Sequence, residues 1–93
     1  MQAPVTHNPA ASRFEASAGG QLALCSYQRS GDVLVLHHTL VPDALQGQGL
    51  AAALVQATLD WAREQGLRVR PTCSYVVAYM RRHPETRDLL AAG

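Results

Sequence analysis

Three groups of residues in this 93-residue chain have types and spacing suited to chemistry. The first is Gln46-Gly47-Gln48-Gly49-Leu50-Ala51, which follows an apolar run from Val33 to Val41 and opens a helical pattern from Gly49 to about Gln65. Glycines let the backbone turn sharply and leave its N–H groups uncovered. The first N–H groups of a helix have no partner within it, and the helix dipole adds partial positive charge there. A strand, a glycine loop and a helix start, in that order, make an anion site whose obvious guest is phosphate. The second group centres on Cys73, at a strand end and just ahead of a helix, with Arg68, Arg70 and Arg81 near in sequence. Such surroundings lower a thiol pKa, and a thiolate can accept an acyl group and pass it on. Plain packing of a small thiol at a tight strand–helix junction explains the same residue equally well. The third is the pair His37-His38, ordinary structural histidines first and proton carriers second.

The elements that must position these residues are legible from periodicity. Val33 to Val41 is apolar on both faces, Val33, Val35 and Val41 on one and Leu34, Leu36 and Leu40 on the other. It reads as a central strand covered on both sides. His37 and His38 then point to opposite faces, and at least one is expected to be partly buried. Pro42 stops the strand. From Gly49, the set Leu50, Leu54, Val55, Leu59, Trp61 and Ala62 repeats at helical spacing, and Gly66 suits a helix end. Leu67 to Cys73 alternates as a short strand with Pro71 at an edge or bulge. A strand, a helix and a strand in this order predict a β-α-β unit with its two strands parallel. Ser74 is a plausible N-cap for a short helix, Tyr75 to Arg82, and Pro84 starts a final turn with Leu89 and Leu90 packing back.

Upstream, Arg13 to Ala18 and Leu22 to Gln28 alternate as strands joined at Gly19-Gly20, and Ser30-Gly31-Asp32 makes the next turn. Cys25 falls mid-strand as filling for one face. Residues 1–12, with Pro4, Pro9 and small side chains, read as a loose arm carrying a solvated His7.

Composition bounds the function. The length fits one domain, residues 1–93, and a hydrophobic fraction of 47% suffices for a folded core. A net charge of +1 argues against a chain that works through bulk electrostatics. The charge divides unevenly, −2 over residues 1–66 and +3 over residues 67–93, which makes the C-terminal third the anion-seeking part. A nucleic-acid binder built on those arginines is disfavoured by the low net charge and the scarcity of aromatics. All eight basic residues are arginine, so the protein cannot modify a lysine side chain of its own. Cys25 and Cys73 have no metal-ligand spacing, so no zinc site or other metal is expected. No apolar run approaches a membrane span, and the setting expected is a reducing cytoplasm with two free thiols.

Several ordered motifs carry a family resemblance. His38-Thr39-Leu40-Val41-Pro42 ends the central strand and Gly47-Gln48-Gly49 forms the loop. Pro71-Thr72-Cys73-Ser74-Tyr75 spans the next junction, and Tyr79 precedes Arg82-His83-Pro84-Glu85. Residues 46–51 also fit the signature Q/R-x-x-G-x-G/A. From Phe14 to Leu90 the chain resembles the short, YidJ-like branch of the GNAT superfamily, the acetyl-CoA-dependent N-acetyltransferases. The resemblance implies a minimal α+β fold, an antiparallel strand meander joined to a β-α-β unit with a splayed parallel pair and a C-terminal helix. It implies that acetyl-CoA lies in the wedge between those strands, its pyrophosphate on the amides of Gln46, Gly47, Gln48, Gly49, Leu50 and Ala51 and its pantetheine arm along Leu40 and Val41. It implies an amine acceptor, small molecule or protein, and it makes Tyr79 the acid that protonates the departing CoA thiolate. The position where relatives commonly carry a glutamate is Leu40, so a glutamate base is absent and His37 or His38 would have to substitute. The early helix pair and closing strands that shape the acceptor site in larger members are not expected here. The alternative to an enzyme is a module that holds an acyl-CoA as a sensor or partner subunit.

Overall fold

The computed structural model describes residues 4–92. Five strands form one sheet in sequential order: β1 (Thr6–Asn8), β2 (Arg13–Ala18), β3 (Gln21–Ser30), β4 (Val33–Leu40) and β5 (Arg68–Pro71). The first four pair antiparallel, and β4 with β5 is parallel. Helix α1 (Leu50–Glu64) makes the crossover between β4 and β5, and α2 (Ser74–Arg82) follows β5. The β2–β3 turn works because Gly19 and Gly20 both take positive φ, 57° and 76°, as a two-residue hairpin of strand-compatible twist requires.

The core is a two-layer contact. Phe14 and Ala16 of β2, Ala23, Cys25 and Tyr27 of β3, Leu34 and Leu36 of β4 and Val69 of β5 are buried on one sheet face. Leu50, Leu54, Val55, Leu59 and Ala62 of α1 close over them, and Val76, Tyr79 and Met80 of α2 complete the cluster. Thr58 is buried among them without penalty because its hydroxyl donates to Leu54 O at 2.8 Å.

Two sequence expectations are corrected. Residues 6–8, taken as part of a loose arm, form β1, with His7 opposite Phe14. His7 is not solvated: its ring stacks on Phe14 at 4.2 Å, lies 4.6 Å from Trp61, and its Nε2 is 2.6 Å from the Tyr27 hydroxyl. Three residues are too few to show a period, and the partners that hold them are 7 to 54 positions away.

The second correction concerns β4. Tyr27 faces Leu36 while Ser26 faces His38, so His37 is an extra residue on β4, a β-bulge. The alternation slips at that point. Thr39, not His38, comes to face Cys25 and shares the buried face with Leu34 and Leu36. His37 and His38 are both exposed, and Leu40, predicted beside Leu34 and Leu36, is 46% exposed. Only the helix-facing side of the strand is fully covered, since Val33 and Val35 are half-buried.

Candidate functional site

The parallel pair sets the site. β4 and β5 pair from Val33 with Arg68 as far as Leu36 with Pro71, and then part. Leu36 O closes the junction by accepting from both Thr72 N–H and Cys73 N–H, at 3.0 and 3.1 Å. Beyond this point the strands diverge. β4 continues through the bulge to Leu40, while the other chain turns into α2. A cavity of about 430 Å³ opens in the gap, lined by Thr39, Leu40, Val41, Gln46, Ala51 and Tyr75. An apolar-walled cleft with a few polar groups is the usual form of a small-molecule site.

Above the cavity, Pro42 ends the strand and Asp43–Leu45 makes a single 3-10 turn. The Gln46 side chain reaches back, donating to Val41 O at 3.2 Å and Asp43 Oδ1 at 3.3 Å, so it ties the strand end to the loop. Gly47 and Gly49 have φ of 82° and 76°, in the left-handed region where glycine carries no penalty. A Cβ at Gly47 would meet nothing within 4 Å, so the loop's outer side is open. Gly49 is the N-cap of α1, and the first bond of its ladder runs from Ala53 N–H to Gly49 O at 3.0 Å. The N–H groups of Leu50 to Ala52 therefore precede the ladder at the positive end of the dipole. Leu50 contributes only its backbone there, because its side chain is buried in the core. Ala51 faces the cavity.

Cys73 stands beside the cavity without lining it, in contact with Thr39 and two residues before Tyr75, both of which do line it. It is the N-cap of α2, so Ser74, expected as the cap, is instead the first helical residue. The thiol is half-buried and lies 3.6 Å from the Thr39 hydroxyl. Burial pushes its pKa up. The N–H groups of Val76 and Tyr75, which the ionised sulfur would face at the helix start, together with Thr39, outweigh that and hold it below the ordinary thiol value of 9.0. As a neutral thiol it makes no capping hydrogen bond to them. Cys25 is the opposite case: fully buried, its pKa is raised by burial, and contacts with Thr58 and Thr39 offset only part of the rise.

Two of the three arginines expected to activate Cys73 are engaged elsewhere. Alternation along β5 turns Arg68 and Arg70 away from the core face, where they bond to Asp88 O at 2.6 Å and Ala92 O at 3.4 Å. Arg63 forks onto both carboxylate oxygens of Asp88, at 2.6 and 2.9 Å. Arg87 reaches Arg81 O at 3.3 Å. Arg63 of α1 and Arg68 of β5 thus strap the last turn, Pro84–Leu89, to those two elements.

The other predicted residues divide. Leu40, Val41, Gln46 and Ala51 line the cavity, and Gly47, Gln48 and Gly49 form the loop beside it. His38 pairs with Ser26 on the exposed side of the bulge and does not line the cavity. Tyr79 is buried under α1: its hydroxyl donates to Gln56 Oε1, and its ring stacks on His83 at 4.0 Å. Burial, with Glu85, Tyr75 and Asp60 nearby, raises its pKa, so the hydroxyl stays protonated. The tyrosine that lines the cavity is Tyr75, four residues earlier. Sequence reasoning missed Tyr75 and Thr39 as wall residues. Tyr75 had a signal in its two-residue spacing from Cys73. Thr39 had none, because the bulge that turns it inward leaves no trace in the hydropathy pattern. Among the described residues no group of three or more His, Cys, Asp or Glu could hold a metal, and no helix is long and apolar enough to cross a membrane.

The profile of the GCN5-related N-acetyl-transferase family matches residues 13–89. The chain belongs to that family. This GNAT domain is similar to Protein NATD1 of Homo sapiens and of Gallus gallus, each 40% identical over 63 residues. The match takes in 67% of this chain and 56% and 57% of those proteins, so the chain spans little more than half the length of the curated relatives it matches. Protein NATD1 of Danio rerio is 32% identical over 68 residues. The GNAT fold itself is shared with the solution structure of a GCN5-like protein from Staphylococcus aureus, at a TM-score of 0.76 and 22% identity over 99% of this chain and 91% of that one.

Proposed function

We propose that this GNAT domain is an N-acetyltransferase that takes the thioester end of acetyl-CoA into the gap between β4 and β5 and passes the acetyl group to an amine. The observation that carries the reading is the parting of β4 and β5 after Leu36 and Pro71, with a cavity of about 430 Å³ between them at a glycine loop and a helix start. The residues fit that guest. Gln46, Gly47, Gln48, Gly49, Leu50 and Ala51 carry no charged side chain, so a pyrophosphate there would be held by backbone N–H groups and the dipole of α1. The free edge of Leu40 and Val41 offers backbone groups to a pantetheine amide.

Cys73 supplies the nucleophile in this reading. Its thiolate attacks the thioester carbonyl, an S–C bond forms to Cys73, and the bond to the CoA sulfur breaks. The leaving thiolate takes a proton from a tyrosine hydroxyl, for which Tyr75, lining the cavity, is better placed than the sequence-predicted Tyr79. The amine then attacks the acetyl-Cys73 carbonyl, the C–N bond replaces the C–S bond, the Cys73 thiolate leaves, and the amine proton returns to the tyrosinate, restoring both groups. A second reading, a non-catalytic acyl-CoA-binding sensor or partner module, is favoured by one observation: among the described residues no carboxylate and no histidine lines the cavity. Release of free CoA thiol from acetyl-CoA, measured across a panel of amines and peptides, decides between them. Turnover with Cys73 acetylated on the pathway supports the transferase. CoA binding without turnover on any acceptor supports the module.

A further inference from the structure

We propose that Thr39 is a positioning residue for Cys73, its hydroxyl switching between the two thiols so that the Cys73 sulfur can ionise beside the cavity that Thr39 lines. This rests on the reading that Cys73 works in the β4–β5 gap and adds to it a residue that reading does not require.

Thr39 Oγ1 is 3.6 Å from Cys73 Sγ on one side and 3.9 Å from Cys25 Sγ on the other. The same residue lines the cavity. Backbone from β3, β4 and the β5–α2 junction converges to make this row. Cys25 faces Thr39 across the β3–β4 pair, and Cys73 is pinned to β4 by its N–H on Leu36 O. The row exists because of the bulge at His37, which turns Thr39 to the helix-facing side.

Its hydrogen-bond directions follow from what each group can donate. With both thiols neutral, Cys73 S–H donates to Thr39 Oγ1 and the Thr39 O–H donates to Cys25 Sγ. When Cys73, which is partly exposed, loses its proton to solvent, the sulfur is left an acceptor only. The Thr39 hydroxyl then rotates to donate to it, and Cys25, still holding its own S–H, donates to Thr39 Oγ1. Every group keeps a partner in both states, and no proton crosses the interior. Cys25 suits the inner end because full burial keeps it a thiol. A valine at position 39 would have nearly the same shape and none of this capacity.

The test is the pH dependence of Cys73 alkylation by iodoacetamide, without CoA, read by mass spectrometry of the Cys73 peptide. Thr39→Val is expected to move the midpoint to higher pH and slow alkylation at pH 7 by about three- to tenfold, one pKa unit being about tenfold in ionised fraction. The rates should converge well above the midpoint. Thr39→Ser should stay within about twofold of wild type because it keeps the hydroxyl. Cys25→Ala should shift the midpoint the same way by less. A wild-type midpoint in Thr39→Val overturns the proposal, even if that variant melts earlier, because mere packing moves stability and not the titration. If the valine disturbs the core, seen as new labelling of Cys25, Thr39→Ala carries the same expectation and the same refutation. CoA protection of wild-type Cys73 is measured beside it. Protection with an unmoved midpoint removes Thr39 alone, whereas absent protection removes the site reading on which it rests.

Discussion

Tyr75 and Tyr79 sit one helical turn apart on α2, and exchanging each for phenylalanine should have opposite consequences. Tyr79 is buried and its hydroxyl donates to Gln56 Oε1, whose amide in turn donates to Asp60 Oδ1 at 2.8 Å. Tyr79→Phe removes one partly buried hydrogen bond while the ring and its stack on His83 remain. No cavity is created, so the cost is that of one side-chain hydrogen bond, about 1 kcal/mol. For a domain of this size that lowers Tm by roughly 4–8 °C. Tyr75 is half-buried with its side chain on the cavity, so Tyr75→Phe should leave Tm nearly unchanged. If it donates the proton to the leaving thiolate, turnover falls by about 10²-fold or more, the usual weight of a positioned acid. The assay pairs thermal denaturation with release of CoA thiol under saturating acetyl-CoA. The reasoning fails if Tyr79→Phe loses turnover with its Tm intact while Tyr75→Phe keeps full activity. That pattern would return the acid role to Tyr79 and require the cavity to extend beneath α1.

Gly49→Val forces a β-branched residue to φ 76° at the head of α1 and should cost about 1–3 kcal/mol of stability. In the folded fraction it should weaken CoA binding in calorimetric titration, and undiminished affinity would remove the loop from the site. Cys73 should be alkylated at pH 7 far faster than Cys25, since one pKa lies below 9.0 and the other above it, with Cys25 also fully buried. Peptide mass spectrometry at short reaction times checks the ratio, and equal rates would contradict both assignments. Burial lowers the pKa of His7 below 6.5, so folding favours its neutral form. That contribution is complete above pH 6.5 and is lost as pH falls through the lowered value. Acidification from pH 7 to 5 should therefore loosen β1 and change Trp61 fluorescence, and His7→Phe should abolish the change.

What was legible in the sequence was what has a period or a punctuation mark. α1 announced itself through Leu50, Leu54, Val55, Leu59 and Ala62, all buried as the spacing implied. The glycine pairs marked their turns, and the strand–helix–strand order placed β5 beside β4 in parallel. The loop and the strand end of the candidate site followed from those elements. What could not be read depends on contacts across the sheet. β1 exists because His7 finds Phe14, Tyr27 and Trp61, three residues on three other elements. The bulge at His37 is a matter of register between β3 and β4, and register is invisible to the composition of either strand. For the same reason nearness to Cys73 in sequence does not make the arginines its neighbours in space: strand alternation sends Arg68 and Arg70 to the C-terminal segment.

The bulge has a consequence for how the cleft tolerates change. Its extra residue lies immediately after the last paired position of β4 and β5, where a bend in one strand pries the two apart. The opening is therefore expected to depend more on residue number than on side-chain size. Substitutions at His37 and His38, both exposed, leave that number intact and should be absorbed easily. Deleting His37 is different. Plain alternation would then still bring Thr39 to the face of Leu36, so the core would be satisfied, but the strand would lose its reason to bend. Such a chain would keep its packing and lose its opening: a folded protein with a closed seam where the guest should enter.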